Sequence, residues 1–196
     1  MLFSGLMLSL ALMIQGVDDT GTAVAKPIGE VHLEPTTGSY FQVFEFYGRP
    51  PHTWKHAQRM VRGYHHEGRE GRLASVKSGN THYFLLAKFP LIRQRQMWIG
   101  LKAECNETAE ITWSDGTALE GQSFRAWNDG TQKKISRTCR DRPSSGMLLP
   151  VYYDPHQLGT RWEAGTERSN LSYMLVEFVE PTEDDVEGAG EPEPTP

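Results

Sequence analysis

None of the common catalytic signatures occurs in this sequence. It has no Gly-x-Ser-x-Gly elbow, no phosphate-binding loop and no glycine fingerprint for a dinucleotide, so it offers no catalytic constellation. It also lacks a run long enough to cross a membrane. The uncharged stretch Leu2 to Ile14 has thirteen residues, whereas a bilayer needs about 20. That length suits the apolar core of a signal peptide, and Ala23-Val24-Ala25 offers a small-x-small cleavage site. No Lys or Arg precedes the core, which makes the leader atypical. Residues 1–25 are expected to be a signal peptide or apolar leader, and the protein to be secreted.

Excess positive charge is missing too. The 196 residues carry a net charge of -5, and residues 181–196 hold six acids and no base. The remaining 180 residues therefore sum to +1. A nearly neutral body gives no case for nucleic acid. The tail has one large apolar residue, Val186, too little to order itself by burial, so 181–196 is expected to be disordered. Residues 26–37 read as a linker. Cysteine is scarce: Cys105 and Cys139 are the only two. In an exported chain they are candidates for one disulfide, and two free thiols are the other reading. Closing that loop would stabilise by about 4 kcal/mol in the chain-entropy model.

What is present has rhythm. Tyr40, Val43, Phe44 and Phe46 lie in a β-rich run bounded by glycines. Trp54, Ala57, Val61 and Tyr64 fall at helical spacing, with Gly68 placed to end the helix. "GRLASV" reads as a short strand. Ser78 can cap a second helix packed through Tyr83, Leu86 and Phe89 or near neighbours, with Pro90 just beyond it. "MWIGL" reads as a buried strand, and "ITWSDGT" as a strand entering an Asp-Gly turn. "GMLLPVYY" and "SYMLVEF" are late apolar strands. Helices early and strands late predict one α+β domain over 38–180. Its core should contain Trp54, Leu73, Trp98, Ile99, Leu101, Trp113, Val151 and Val176.

Six pieces of the chain resemble, in order, the landmarks of the C-type lectin-like domain. They are Trp54-x-x-Ala57, Gly71-Arg72-Leu73-Ala74-Ser75-Val76, Trp98-Ile99-Gly100-Leu101, Trp113-Ser114-Asp115-Gly116-Thr117, Trp127-x-x-Gly130 and Trp162. Together they place all five tryptophans and span about Gly38 to Val179. The resemblance implies two helices, small antiparallel sheets and a long loop region where ligands bind. The family usually has two disulfides. At one, both places here are apolar, Val61 and Val176, so these two valines should lie near each other. The other pair, near Met147 and after Trp162, is missing as a whole. The chain resembles the cysteine-poor members.

The resemblance also bears on calcium. In the family's sugar binders a late Trp-Asn-Asp supplies ligands, and the matching place here is Trp162-Glu163-Ala164. The literal Trp127-Asn128-Asp129 falls at an earlier landmark, which would leave Asn128 and Asp129 in variable places. The Glu-Pro-Asn positions hold Thr131, Gln132 and Lys133. Calcium takes six to eight oxygens, several of them carboxylates, and Lys133 would repel it. No calcium and no other cofactor are therefore expected, with Asp129 or Asp154 as the residues of a rescued site.

The long-loop region offers a different chemistry. Lys133 to Arg142 contains five bases (Lys133, Lys134, Arg137, Arg140, Arg142) and one acid. Such a segment suits an anionic glycan or an acidic protein surface, and a solvated charged loop is the plainer reading. Asn106 and Asn170 head glycosylation sequons. His52 and His56 stand four apart near a helix start, but no HExxH glutamate accompanies them. The expectation is a non-catalytic, calcium-independent extracellular recognition module that binds a glycan or protein through Lys133, Lys134, Arg137, Arg140, Arg142 and Glu163. A calcium-dependent carbohydrate-binding lectin and a metal-dependent hydrolase using His52 and His56 are the alternatives.

Overall fold

The computed structural model describes residues 24–143, 145–156 and 159–180. Strand β1 (Val24–Leu33) pairs antiparallel with β2 (Tyr40–Tyr47). Most of the stretch 26–37, which the sequence suggested was a linker, is thus part of the sheet. The sequence hid this because β1 is held by its backbone pairing and buries little beyond Ala25. Pro27 is tolerated there because the strand is an edge. The expected disordered tail at 181–196 and nearly all of the expected leader lie outside the described residues.

Helix α1 (Trp54–Val61) begins where Thr53 Oγ1 accepts from the His56 amide at 3.4 Å. It buries Trp54, Ala57 and Val61. It stops sooner than Gly68, the expected end. The chain instead turns through Glu67 and Gly68, both at positive φ, and makes a small hairpin of β3 (His65–His66) and β4 (Arg69–Leu73). Gly68 serves a hairpin turn, which calls for left-handed residues just as a helix end does.

Helix α2 (Gly79–Lys88) is capped as expected, with Ser78 Oγ accepting from the Thr81 amide at 3.0 Å. It packs through Thr81, His82, Leu85 and Leu86. Tyr83, expected to face the core, is 70% exposed. A short 3-10 turn, Pro90–Arg93, leads into β5 (Met97–Cys105), which pairs with β6 (Ala109–Trp113). Helix α3 (Thr131–Asp141) lies where an irregular basic loop was expected. Strands β7 (Met147–Asp154), β8 (Arg161–Ala164) and β9 (Tyr173–Phe178) complete the α+β domain.

The main sheet runs β1-β2-β9-β5-β7-β8. Its pairings are antiparallel except β5 with β9, which is parallel. All eight residues expected in the core are at most 2% exposed. Two buried indoles find backbone partners: Trp54 Nε1 donates to the Ile99 carbonyl at 2.7 Å and Trp98 Nε1 to the His52 carbonyl at 2.9 Å. Gly100 has a steric reason, since a Cβ there would stand 2.4 Å from the Leu73 carbonyl oxygen. Val61 and Val176 belong to one core cluster. A Cβ on Gly71 would lie 2.7 Å from the Val61 carbonyl oxygen and 3.2 Å from Val176 Cγ1, which brings the valines to opposite sides of one small gap.

Candidate ligand-binding site

The literal Trp127-Asn128-Asp129 is not idle. Trp127 lies beside Trp162 in a parallel bridge. The Trp162 amide donates to the Ala126 carbonyl at 2.6 Å, and the Asn128 amide donates to the Trp162 carbonyl at 2.9 Å. Aromatic packing fixes this juxtaposition. The Trp113, Phe124 and Trp127 rings each meet Trp162 edge-to-face, with centroids 5.5 to 5.6 Å away.

The pairing sets Asn128, Thr131, Lys134, Asp154 and Glu163 in one polar network. Asn128 Nδ2 donates to Asp154 Oδ2 and to Glu163 Oε2, each at 3.3 Å. Thr131 Oγ1 donates to Glu163 Oε2 at 2.7 Å. Lys134 Nζ reaches Glu163 Oε1 at 3.0 Å and the Ala164 carbonyl at 3.1 Å. Burial pushes the Glu163 carboxyl up, but hydrogen bonds from Thr131 and Lys134 outweigh it and hold the group below the usual carboxylate range. Asn128 is 4% exposed and its Oδ1 has no hydrogen-bond partner among the described residues.

One sequence reading changes here. Asn128, read as filling a variable place of the Trp-x-x-Gly landmark, is a buried member of the network. Lys134 is the cation on Glu163, facing β8 from α3, whereas Lys133 is exposed on the outward side. Asp154 is 8% exposed and already accepts from Asn128, Gln96 and the His156 amide, while Asp129 points to solvent. Among the described residues no three His, Cys, Asp or Glu side chains form a metal-sized group.

Helix α3 displays the other basic residues. Thr131, Ile135 and Cys139, four apart, are its buried stripe. Lys133, Arg137 and Arg140, at i, i+4 and i+7, share the outward face and are exposed, as is Arg142. Among the described residues none of these four is in an ion pair, whereas Lys134 is bound to Glu163. The five bases expected to act together thus divide, one serving the network and four facing solvent. The helix was missed because its buried stripe is only three small or medium residues, one of them Thr131, among eight polar or charged neighbours. The spacing of Thr131, Ile135 and Cys139 was the available signal.

Cys105 and Cys139 are joined by a disulfide, with Cα atoms 4.7 Å apart. It fastens α3 to the end of β5. His52 stacks on Phe46, with ring centroids 5.0 Å apart, and its carbonyl and amide bond Trp98 and Asn170. His56 lies by the same ring, at 6.2 Å. Both histidines thus lie against the Phe46 ring. Asn170 is exposed and Asn106 partly so; Asn170 Nδ2 donates to the Arg168 carbonyl at 2.8 Å and Asn106 Nδ2 to Glu110 at 3.0 Å. No helix among the described residues is long and apolar enough to cross a membrane.

The family model described as the lectin C-type domain matches residues 51–148, half of the chain. Among solved structures, the crystal structure of rhodocetin is similar at 15% identity and a TM-score of 0.41, covering 73% of this chain and 91% of that chain. No curated protein matches.

Proposed function

From the premise that the chain belongs to the C-type lectin domain family, we propose that it is a non-catalytic, exported recognition module that binds an anionic glycan without calcium. The outward face of α3 is the binding surface. The observation that supports this best is the division of labour within α3. Lys134 sets its ammonium on Glu163 at 3.0 Å, supplying positive charge where a metal would otherwise balance the carboxylate. Lys133, Arg137, Arg140 and Arg142 remain exposed and without acidic partners among the described residues. Arginine forks match sulfate and carboxylate, and an exposed row of them along one helix face suits a chain of such groups.

A glycan-array screen in calcium and again in chelator tests this reading. Sulfated chains should be retained equally in both buffers. Retention of neutral sugars only in calcium would favour the calcium-dependent lectin instead. Export is part of the proposal, because the family's usual setting and a disulfide both suit an oxidising compartment. In a secretory host, Asn106 and Asn170 are then the expected glycosylation sites.

A further inference from the structure

A second cationic surface lies away from α3, where the turn after α2 meets the turn between β7 and β8. Two clefts open there. One, of about 550 Å³, is lined by Tyr83, Leu86, Arg93 and His156 among others. The other, of about 340 Å³, is lined by Arg95, Gln96, His156 and Tyr173 among others. His156 lines both, so the two clefts adjoin in one grooved face. Both volumes fall within or near the range of small-molecule sites.

The chemistry of the lining is one-sided. Among the described residues neither cleft has an acidic side chain in its wall. Arg93 and Arg95 are exposed, and among the described residues neither pairs with a carboxylate. Arg161 stands at the rim, since a Cβ placed on Gly159 would lie 3.7 Å from its Nε. Two acids border the groove without lining it, Asp154 beside Gln96 and His156 and Glu45 beside Tyr173, and both already accept hydrogen bonds. Asp154 accepts from Asn128, Gln96 and the His156 amide, and Glu45 accepts from the Tyr47 hydroxyl at 2.6 Å. An aromatic plate completes the groove: Tyr83 is 70% exposed, although helix α2 offers its neighbours a core to pack in.

An exposed tyrosine face attracts the polarised C–H groups of a sugar ring through its negative quadrupole. A guanidinium forks onto a carboxylate, and amides such as Gln94 and Gln96 bond hydroxyls. We propose that this groove, from Tyr83 past His156 to Tyr173, is a binding site for a uronate residue of an acidic oligosaccharide, with the ring on Tyr83 and its carboxylate on Arg93 or Arg95. It is independent of the α3 surface and does not rest on it.

The test is a calorimetric titration of the full chain with an oligogalacturonate at low salt, beside a neutral oligogalactoside of equal length and an oligoglutamate of equal charge. Variants are Tyr83→Ala, the pair Arg93→Gln with Arg95→Gln, and the triple Lys133→Ser, Arg137→Ser, Arg140→Ser, each checked for an unchanged melt. The uronate should bind the parent and the α3 triple alike. Tyr83→Ala and the arginine pair should each weaken it at least tenfold, and the neutral sugar should bind far more weakly. Absent uronate binding, indifference to Tyr83→Ala or to the arginine pair, or loss with the α3 triple, would each overturn the assignment. So would oligoglutamate binding as tightly, which would make the groove a docking place for acidic peptide. Because heparin retention by α3 and uronate binding by the groove depend on different residues, either can fail alone.

Discussion

Single residues decide the electrostatics of this molecule, and Lys134 is the clearest. Its ammonium stands against Glu163 and the Ala164 carbonyl, so calcium added to dialysed protein has to displace a cation already covalently tethered there. A ligand raises stability only through binding to the native state. Thermal melts in millimolar calcium and in chelator should therefore coincide. A calcium-dependent rise, abolished by Glu163→Gln, would overturn this account of the network. His82 carries a second prediction. It is 3% exposed, its Nδ1 lies 3.0 Å from the Tyr153 hydroxyl, and burial together with the charge of Arg161 lowers its pKa to about 4. The unfolded chain takes up this proton near pH 6.5 and the folded one only near 4, so the contribution is complete above pH 6.5 and is lost as pH falls toward 4. The loss should be about 2 kcal/mol, discounted from the full shift for solvent screening. Urea titrations at pH 7 and pH 4.5 check this: His82→Gln should show a flatter dependence than the parent, and parallel slopes would refute it.

At the scale of elements, legibility followed side-chain burial. Strands and helices that bury large residues at regular spacing were readable, which is why the tryptophan landmarks located α1, β5, β6 and β8. Elements held by backbone pairing or by a thin apolar stripe were not. Strand β1 buries almost nothing but Ala25, and α3 buries only Thr131, Ile135 and Cys139. The turn of β3 into β4 was misread because a left-handed glycine ends helices and makes hairpins alike. The polar network was half legible: Glu163 and the basic segment were singled out, but pairing of Trp127 with Trp162 cannot be seen from residues 35 apart in sequence. Two stability predictions belong here. Cys105 and Cys139 are 34 residues apart, so the double change to Ala should lower unfolding free energy by about 4 kcal/mol, less any strain relieved. Guanidinium melts of the oxidised parent and the double variant measure it, and α3 should lose amide protection first because the disulfide is its covalent tie to β5. Val61→Ala or Val176→Ala should cost about 1–3 kcal/mol, because both fill the same cluster. A change within about 0.5 kcal/mol in either would contradict the claim that they pack in place of a disulfide.

The whole molecule combines a neutral, tryptophan-rich α+β body with cationic surface features whose charges have no acidic partners among the described residues. The face of α3 is held rigid by the disulfide and by Ile135, so the backbone that carries its cations is already ordered. That pre-organisation favours binding, since little backbone freedom remains to be lost, although the exposed Lys and Arg side chains still have to be ordered. The most direct measurement is the affinity for a heparin-like oligosaccharide in chelator, taken over a range of salt, for the parent and for the triple Lys133→Ser, Arg137→Ser, Arg140→Ser. Lys134 is left in place so that the Glu163 network survives. The account predicts binding that needs no calcium, falls steeply with salt as exposed charges are screened, and is mostly lost in the triple variant while its melt is unchanged. Binding that is indifferent to both salt and the triple change, or that disappears in chelator, would contradict it.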